Sequence, residues 1–150
     1  MTTAIIGTGG IGSAIARLLA AGGETLRLSS ADNESTRTLA AEIGPAAVAA
    51  AGNRDALQGA GAVILALRAF GTMSAGLLES SSNRSPGPAV LFYATDDDRA
   101  AEEIQRLIRT AGFEPEKVGG IEQSGRLQVG GDLHDLVVGP AEARTLISGT

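Results

Sequence analysis

The sequence has no cysteine and no tryptophan, and its net charge at pH 7 is -5. Without thiols it forms no disulfide, iron–sulfur cluster or thiolate zinc site, and no other metal motif is present. Basic patches with interleaved aromatics are missing, which argues against nucleic-acid binding. No apolar run reaches the roughly 18 residues of a membrane helix, and no secretory signal is recognisable. We therefore expect a cytoplasmic protein with no membrane partner.

Apolar runs alternate with segments of helical spacing along the whole chain. The length of 150 residues predicts a single domain over residues 1–150. The predicted strands are 3–7, 25–28, 46–50, 62–67, 89–94 and 113–118. The predicted helices are 11–21, 34–43, a short one that follows Asn53 and ends at Leu57, 71–80, 98–111 and 140–147. The expected N-caps are Asp32 or Asn33, Asn53, and Thr95 or Asp96. This order predicts an α/β fold: a doubly wound, mostly parallel sheet with right-handed crossovers and helices on both faces.

The first strand runs directly into a glycine-rich turn that opens the first helix. The turn matches G-x-G-x-x-G and comprises Gly7, Thr8, Gly9, Gly10, Ile11 and Gly12. In such a turn the first glycine permits the tight bend, the second lets a pyrophosphate approach the backbone, and the third lets the helix pack on the strand. The free amides of the first helical turn favour an anion. The pattern predicts a dinucleotide site; the alternative is a tight turn without a ligand.

The residues after the second strand bear on the choice of cofactor. An acidic side chain there would accept a hydrogen bond from the ribose 2′-hydroxyl of NAD. This chain has Ser29 and Ser30 instead, which can donate to a 2′-phosphate without repelling it. The pair favours NADP, although Asp32 is close and no arginine directly follows the serines.

Several segments together resemble the NADPH-dependent reductases of coenzyme F-420, a deazaflavin. The segments are AIIGTGGIGSAIARLLAAGG, AVILAL, AFGTMSAGLLESSSNR and the block from AVLFYATDDD to GGDLH. The resemblance implies a Rossmann fold and hydride transfer between NADPH and a deazaflavin co-substrate. It also implies that the glycine turn holds the pyrophosphate, and that Ser29 and Ser30 stand where a Ser-Arg pair reads the 2′-phosphate. The arginine of that pair is not matched.

The chain departs from this family in the middle. The residue Arg68 joins the strand ending at Leu67 directly to Ala69, so one crossover after the fourth strand is missing together with an acceptor loop. The sequence thus predicts a shortened NADP oxidoreductase acting on a deazaflavin or another small planar acceptor. The alternative is a non-redox enzyme, such as a cyclase or isomerase, or a ligand-binding protein of a biosynthetic pathway on the same scaffold.

Two further expectations follow from the shortened middle. His134, the only histidine, and Arg68 are the candidate catalytic residues, because histidine titrates near neutral pH and an adjacent aspartate can orient it. Loss of a crossover exposes sheet edges, which favours a homodimer. In one arrangement, residues 62–70 form a long strand at the two-fold interface of this dimer. Gel filtration at micromolar concentration checks this expectation, since a monomer mass contradicts it.

Overall fold

The computed structural model of the chain describes residues 1–65 and 72–149. Their contacts divide the chain into two compact units, Met1–Phe70 and Gly71–Thr150. The expectation of a single domain over residues 1–150 stays a prediction. Arg68 and the end of the proposed 62–70 strand lie outside the described residues.

The first unit is a four-stranded parallel sheet with three helices. Its strands are β1 (Thr2–Ile6), β2 (Thr25–Ser29), β3 (Ala47–Ala49) and β4 (Ala62–Leu65), and its helices are α1 (Gly10–Ala21), α2 (Asn33–Ile43) and α3 (Asn53–Leu57). The strand order is β3-β2-β1-β4. Ile5 of β1 pairs with Leu28 of β2 on one side and with Ile64 of β4 on the other. This order confirms the predicted Rossmann-like α/β fold, in which the chain reverses direction across the sheet after β3.

Strand β1 lies at the centre of this unit. Its consecutive residues Thr3, Ala4 and Ile5 are all fully buried, so both faces of the sheet are covered. Right-handed crossovers place α1 and α2 on one face and α3 on the other, because the connection from β3 to β4 runs back across the sheet. On α1, Ile15 and Leu19 recur at helical spacing and are both buried.

The second unit contains a two-stranded parallel sheet and further helices. Its elements are α4 (Ala75–Ser81), β5 (Val90–Ala94), α5 (Asp98–Thr110), β6 (Glu114–Gly119), a 3-10 helix (Ile121–Leu127) and α6 (Pro140–Ser148). Strands β5 and β6 pair in parallel. The core of this unit is formed by apolar side chains of both strands, of the loop that follows the 3-10 helix and of α6: Val90, Phe92, Val118, Leu133, Val138 and Ala143.

Two predicted helix caps are wrong. The N-cap of α5 is Asp97, whose carboxylate accepts from the amides of Arg99 and Ala100 (2.8 and 3.2 Å), and not Thr95 or Asp96. The N-cap of α3 is Gly52, because Asn53 is already the first helical residue. Asp32 caps α2 as predicted. In the ranges that the structure covers, no helix is long and apolar enough to cross a membrane.

Candidate dinucleotide site

The glycine turn lies at the carboxyl edge of the sheet, between β1 and α1. Its first residue, Gly7, has a φ of +101°, which a residue with a side chain rarely adopts, and its amide donates to the carbonyl of Ser29 (2.7 Å). Gly12 is buried, and its lack of a side chain suits close packing of α1 on the sheet. Gly9 and Gly10 are exposed. Two of the glycines therefore shape the turn, and two leave its surface open.

The N-terminus of α1 is open to a ligand. Gly9 is the N-cap and has no side chain, so no side-chain cap accepts from the first-turn amides. A Cβ atom built on Gly9 meets no other atom within 4 Å, and the φ of Gly9 is an ordinary -69°. The unpaired amides and the helix dipole favour an anion at this position. Neither backbone strain nor packing therefore requires a glycine at this position, and its surface is free for a ligand to approach.

Three hydroxyl groups join the glycine turn to the end of β2 and the start of α2. Thr8 Oγ1 donates to Ser30 Oγ (3.0 Å) and lies 2.9 Å from Thr36 Oγ1, while the oxygens of Ser30 and Thr36 are 2.8 Å apart. Thr8 and Thr36 are buried and Ser30 is half-buried. We call Thr8, Ser30 and Thr36 the hydroxyl triangle. It fixes the turn relative to the strand end beside which the adenosine ribose lies in this fold.

The hydroxyl hydrogens of the triangle already form hydrogen bonds within the protein. Each hydroxyl has one hydrogen to donate. Ser30 and Thr36 both donate to the backbone carbonyl of Asp32 (2.8 Å each), and Ser30 accepts from the Asp32 amide (3.2 Å) and from Thr8. Ser30 can therefore donate to a ribose phosphate only by giving up its bond to the Asp32 carbonyl. Its hydroxyl group offers a neutral hydrogen bond and carries no positive charge.

The two serines point to opposite faces of the sheet. Ser29 is 1% exposed and donates to Asn53 Oδ1 of α3 (2.8 Å), whereas Ser30 belongs to the triangle on the α2 side. Arg27, two residues before Ser29 and thus on the same face of β2, donates to the carbonyl and the carboxylate of Asp55 (2.9 and 2.8 Å). Of the predicted pair, only Ser30 reaches the surface of the site. Ser29 holds the first turn of α3 against the end of β2.

Carboxylates dominate the neighbouring groove between α1 and α2. The groove has a volume of about 430 Å³, and Asp32, Glu34 and Glu42 line it together with one guanidinium, that of Arg17. Arg17 is already paired with Glu42 (3.0 Å). The pKa of the Asp32 carboxyl is lowered because the Ser35 amide donates to it, so it is charged at neutral pH. A phosphate is therefore disfavoured in this groove and favoured at the N-terminus of α1.

Comparison with known proteins identifies the family. Residues 2–91, more than half of the chain, match the family described as NADP oxidoreductase coenzyme F420-dependent. The chain belongs to this family. The match includes the glycine turn, the hydroxyl triangle and all three helices of the first unit. Curated proteins provide no match to the sequence.

The first solved structure similar to this family member shares its fold over most of both chains. A hypothetical protein, SMa0349 from Sinorhizobium meliloti, is 21% identical with a TM-score of 0.71, covering 92% of this chain and 95% of that one. An imine reductase from Bacillus cereus is 21% identical with a TM-score of 0.38 over 77% of this chain and 39% of its own. An imine reductase variant from Myxococcus stipitatus, in complex with NAD+, has 20% identity, a TM-score of 0.37 and coverages of 77% and 38%.

His134 lies in the second unit of this oxidoreductase-family chain, in the loop before α6. Its Nδ1 is 3.5 Å from Asp135 Oδ2, and its side chain is 18% exposed. Asp135 has a left-handed φ of +55°; its Oδ1 accepts from the Ser74 amide and its amide donates to the Thr72 carbonyl (2.6 Å each). Asp135 thus fixes both the imidazole and the segment before α4. Arg68, the other predicted catalytic residue, lies outside the described residues.

We expect neutral His134 to carry its proton on Nδ1, because the Asp135 carboxylate faces that nitrogen and leaves Nε2 as the acceptor. The chain has one histidine, so nitrogen-15 NMR of the imidazole gives a single, assignable pair of resonances. The matched control is Asp135→Asn, since asparagine tolerates a left-handed backbone. The Nε2-protonated form in the native chain, or identical shifts in both chains, would contradict the assigned role of Asp135.

Sequence reasoning did not identify Asn53, Thr36 or the Arg27–Asp55 pair as parts of the site. Strand alternation carried one usable signal, because it places Arg27 and Ser29 on the same face of β2. The bond from Ser29 to Asn53 is a tertiary contact between residues 24 positions apart, which no local pattern reveals. Across residues 1–65 and 72–149, no cluster of three or more metal-ligating side chains is present.

Proposed function

We propose that this protein is an NADP(H)-dependent oxidoreductase that transfers hydride between NADPH and a deazaflavin, such as coenzyme F-420, or another small planar acceptor. The observation that carries the proposal is the uncapped N-terminus of α1 with open space above Gly9. Membership of the F-420-dependent NADP oxidoreductase family supports the reaction class.

The residues of the glycine turn fit a dinucleotide. The first-turn amides, with Gly9 and Gly10 exposed beside them, would hold the pyrophosphate, and Thr8 and Ile11 would contact it through their backbone. Ser30 would contact the adenosine ribose at the end of β2. The bond from Ser29 to Asn53 joins this end of β2 to α3 on the other face of the sheet. When bound, the nicotinamide supplies the hydride, and the protein supplies position and electrostatics.

A homodimer is the second part of the proposal. Among the described strands of the first unit, β4 lies at one edge of the sheet and pairs with β1. The side chain of its Val63 is 46% exposed. An exposed apolar side chain on an edge strand favours contact with another strand. Mass measured by light scattering at micromolar concentration tests this part, and a monomer contradicts it without affecting cofactor binding.

Calorimetric titration of the protein with NADPH and NADH tests the proposed function. We expect micromolar binding of NADPH and weaker binding of NADH, followed by loss of deazaflavin absorbance when NADPH and coenzyme F-420 are mixed with the protein. If neither nucleotide binds at millimolar concentration, the proposal fails, and cofactor-free chemistry on this scaffold becomes the better explanation. If NADPH binds and the deazaflavin is not reduced, the acceptor is a different planar molecule.

A further inference from the structure

The proposed preference for NADPH requires a group that balances the negative charge of its 2′-phosphate. A ribose 2′-phosphate carries up to two negative charges, and the site presents Ser30, whose hydrogen is shared with the Asp32 carbonyl, close to the charged Asp32 carboxylate. A neutral hydrogen bond beside a carboxylate does not favour a phosphate over a hydroxyl. Discrimination for NADPH therefore requires a cation near the end of β2, which the three residues directly after Ser30, Ala31, Asp32 and Asn33, do not supply.

The connection from β3 to α3 runs beside the end of β2. The amide of Ala50 donates to the carbonyl of Leu28 (2.8 Å), and Asn53 accepts from Ser29, the last residue of β2. The amide of Ala51 donates to Asp55 Oδ2 (2.9 Å), which closes the connection into a fixed turn. The first residues of α3 are thus held at the edge of the sheet where the adenosine ribose lies in this fold.

Arg54 lies in the first turn of α3, at this edge. It directly follows Asn53, it is exposed, and no hydrogen bond or ion pair engages it among the described residues. The one carboxylate of α3, Asp55, is bound by Arg27 (2.8 Å) and does not neutralise Arg54. A guanidinium is also the side chain best suited to a phosphate, because it binds two oxygens at once.

We propose that Arg54 recognises the 2′-phosphate of NADP(H) and sets the preference for NADP(H) over NAD(H). This inference rests on the proposed function. Arg54 replaces, from the first turn of α3, the arginine that the sequence lacks directly after Ser30. The phosphate group lies between the Ser30 hydroxyl group, directly after β2, and the Arg54 guanidinium of α3. The bond from Ser29 to Asn53 links the two elements.

The test compares Arg54→Gln with the unaltered protein by calorimetric titration with NADPH and NADH, and with 2′,5′-ADP and 5′-AMP, which differ by the 2′-phosphate alone. Loss of a charge-assisted hydrogen bond weakens NADPH and 2′,5′-ADP binding about 10- to 100-fold. Binding of NADH and 5′-AMP changes less than about twofold, because they lack the phosphate that Arg54 contacts. Arg54→Lys restores part of the preference for NADPH over NADH, because lysine keeps the positive charge but cannot form the bidentate hydrogen bonds of a guanidinium.

Two further variants make the outcome specific. Arg99→Gln, an exposed arginine of α5, removes the same charge elsewhere and leaves all four affinities unchanged. Arg37→Gln tests the other exposed arginine close to β2 in sequence, and loss of the preference there instead of at Arg54 overturns the inference. Equal weakening of all four ligands by Arg54→Gln also overturns it. Absence of binding by the unaltered protein refutes the proposed function itself, which is a different result.

Discussion

Replacing Gly9 by alanine weakens NADPH binding at least about 100-fold, which corresponds to about 2.7 kcal/mol, while the protein stays folded. The added methyl group enters open space and a permitted backbone conformation, so it does not strain the turn. It does occupy the position where the pyrophosphate must approach the backbone most closely. Calorimetric titration measures the change in affinity, and circular dichroism with thermal unfolding checks the fold.

The matched control for this substitution is Gly139→Ala. Gly139 is also a helix N-cap with a negative φ (-87°), no side-chain cap and open space at its Cβ, but it belongs to α6 in the second unit. Alanine is a poorer N-cap than glycine, so each variant loses stability by about 0.5 to 1 kcal/mol. If Gly139→Ala lowers NADPH affinity as much as Gly9→Ala does, the dinucleotide is not bound at the glycine turn.

Replacing Leu133 by alanine destabilises the protein by about 2 to 5 kcal/mol. The Leu133 side chain is 1% exposed and packs with Phe92 of β5 and Val118 of β6, so its truncation leaves a cavity in the core of the second unit. Urea unfolding followed by circular dichroism measures the loss. Because Leu133 immediately precedes His134, the same substitution should also broaden the imidazole resonances of that histidine.

Val129 provides the contrast within the same segment. Its side chain is 88% exposed, so Val129→Ala changes the free energy of unfolding by less than about 0.5 kcal/mol. The two residues are four positions apart and both aliphatic, and their burial alone separates the expected effects. A loss below about 1 kcal/mol for Leu133→Ala would mean that the segment between the 3-10 helix and α6 is not packed as described.

The sequence allowed the first unit to be predicted closely. Strands β1 and β2 and helices α1 and α2 begin and end within one or two residues of their predicted bounds, because apolar runs and helical spacing are both strong there. The cap of α5 was missed because Thr95, Asp96 and Asp97 are all good capping residues, and only the structure selects Asp97. In the loop after the 3-10 helix, the burial of Leu133 has no periodic signal, since glycines interrupt every repeat.

Only part of the site could be predicted, because some of its residues form one continuous motif and others meet only in the folded chain. The glycine turn is a continuous motif, and its open N-terminus on α1 follows from the sequence alone. Ser29 and Ser30 are adjacent and chemically identical, yet the pleat of β2 directs one hydroxyl to Asn53 and the other to Thr8. The connection from β3 to α3 is held beside the end of β2 by hydrogen bonds, which residue spacing does not encode.

The hydroxyl triangle is insensitive to ionic strength. Thr8, Ser30 and Thr36 have no charge and do not titrate in the neutral range, so neither added salt nor moderate acidification disturbs the bonds among them. The shape of the turn is therefore constant while electrostatic attraction is screened. If NADPH binds as proposed, the slope of its affinity against salt concentration reports the charges that meet the phosphates, separately from the hydrogen bonds that shape the turn.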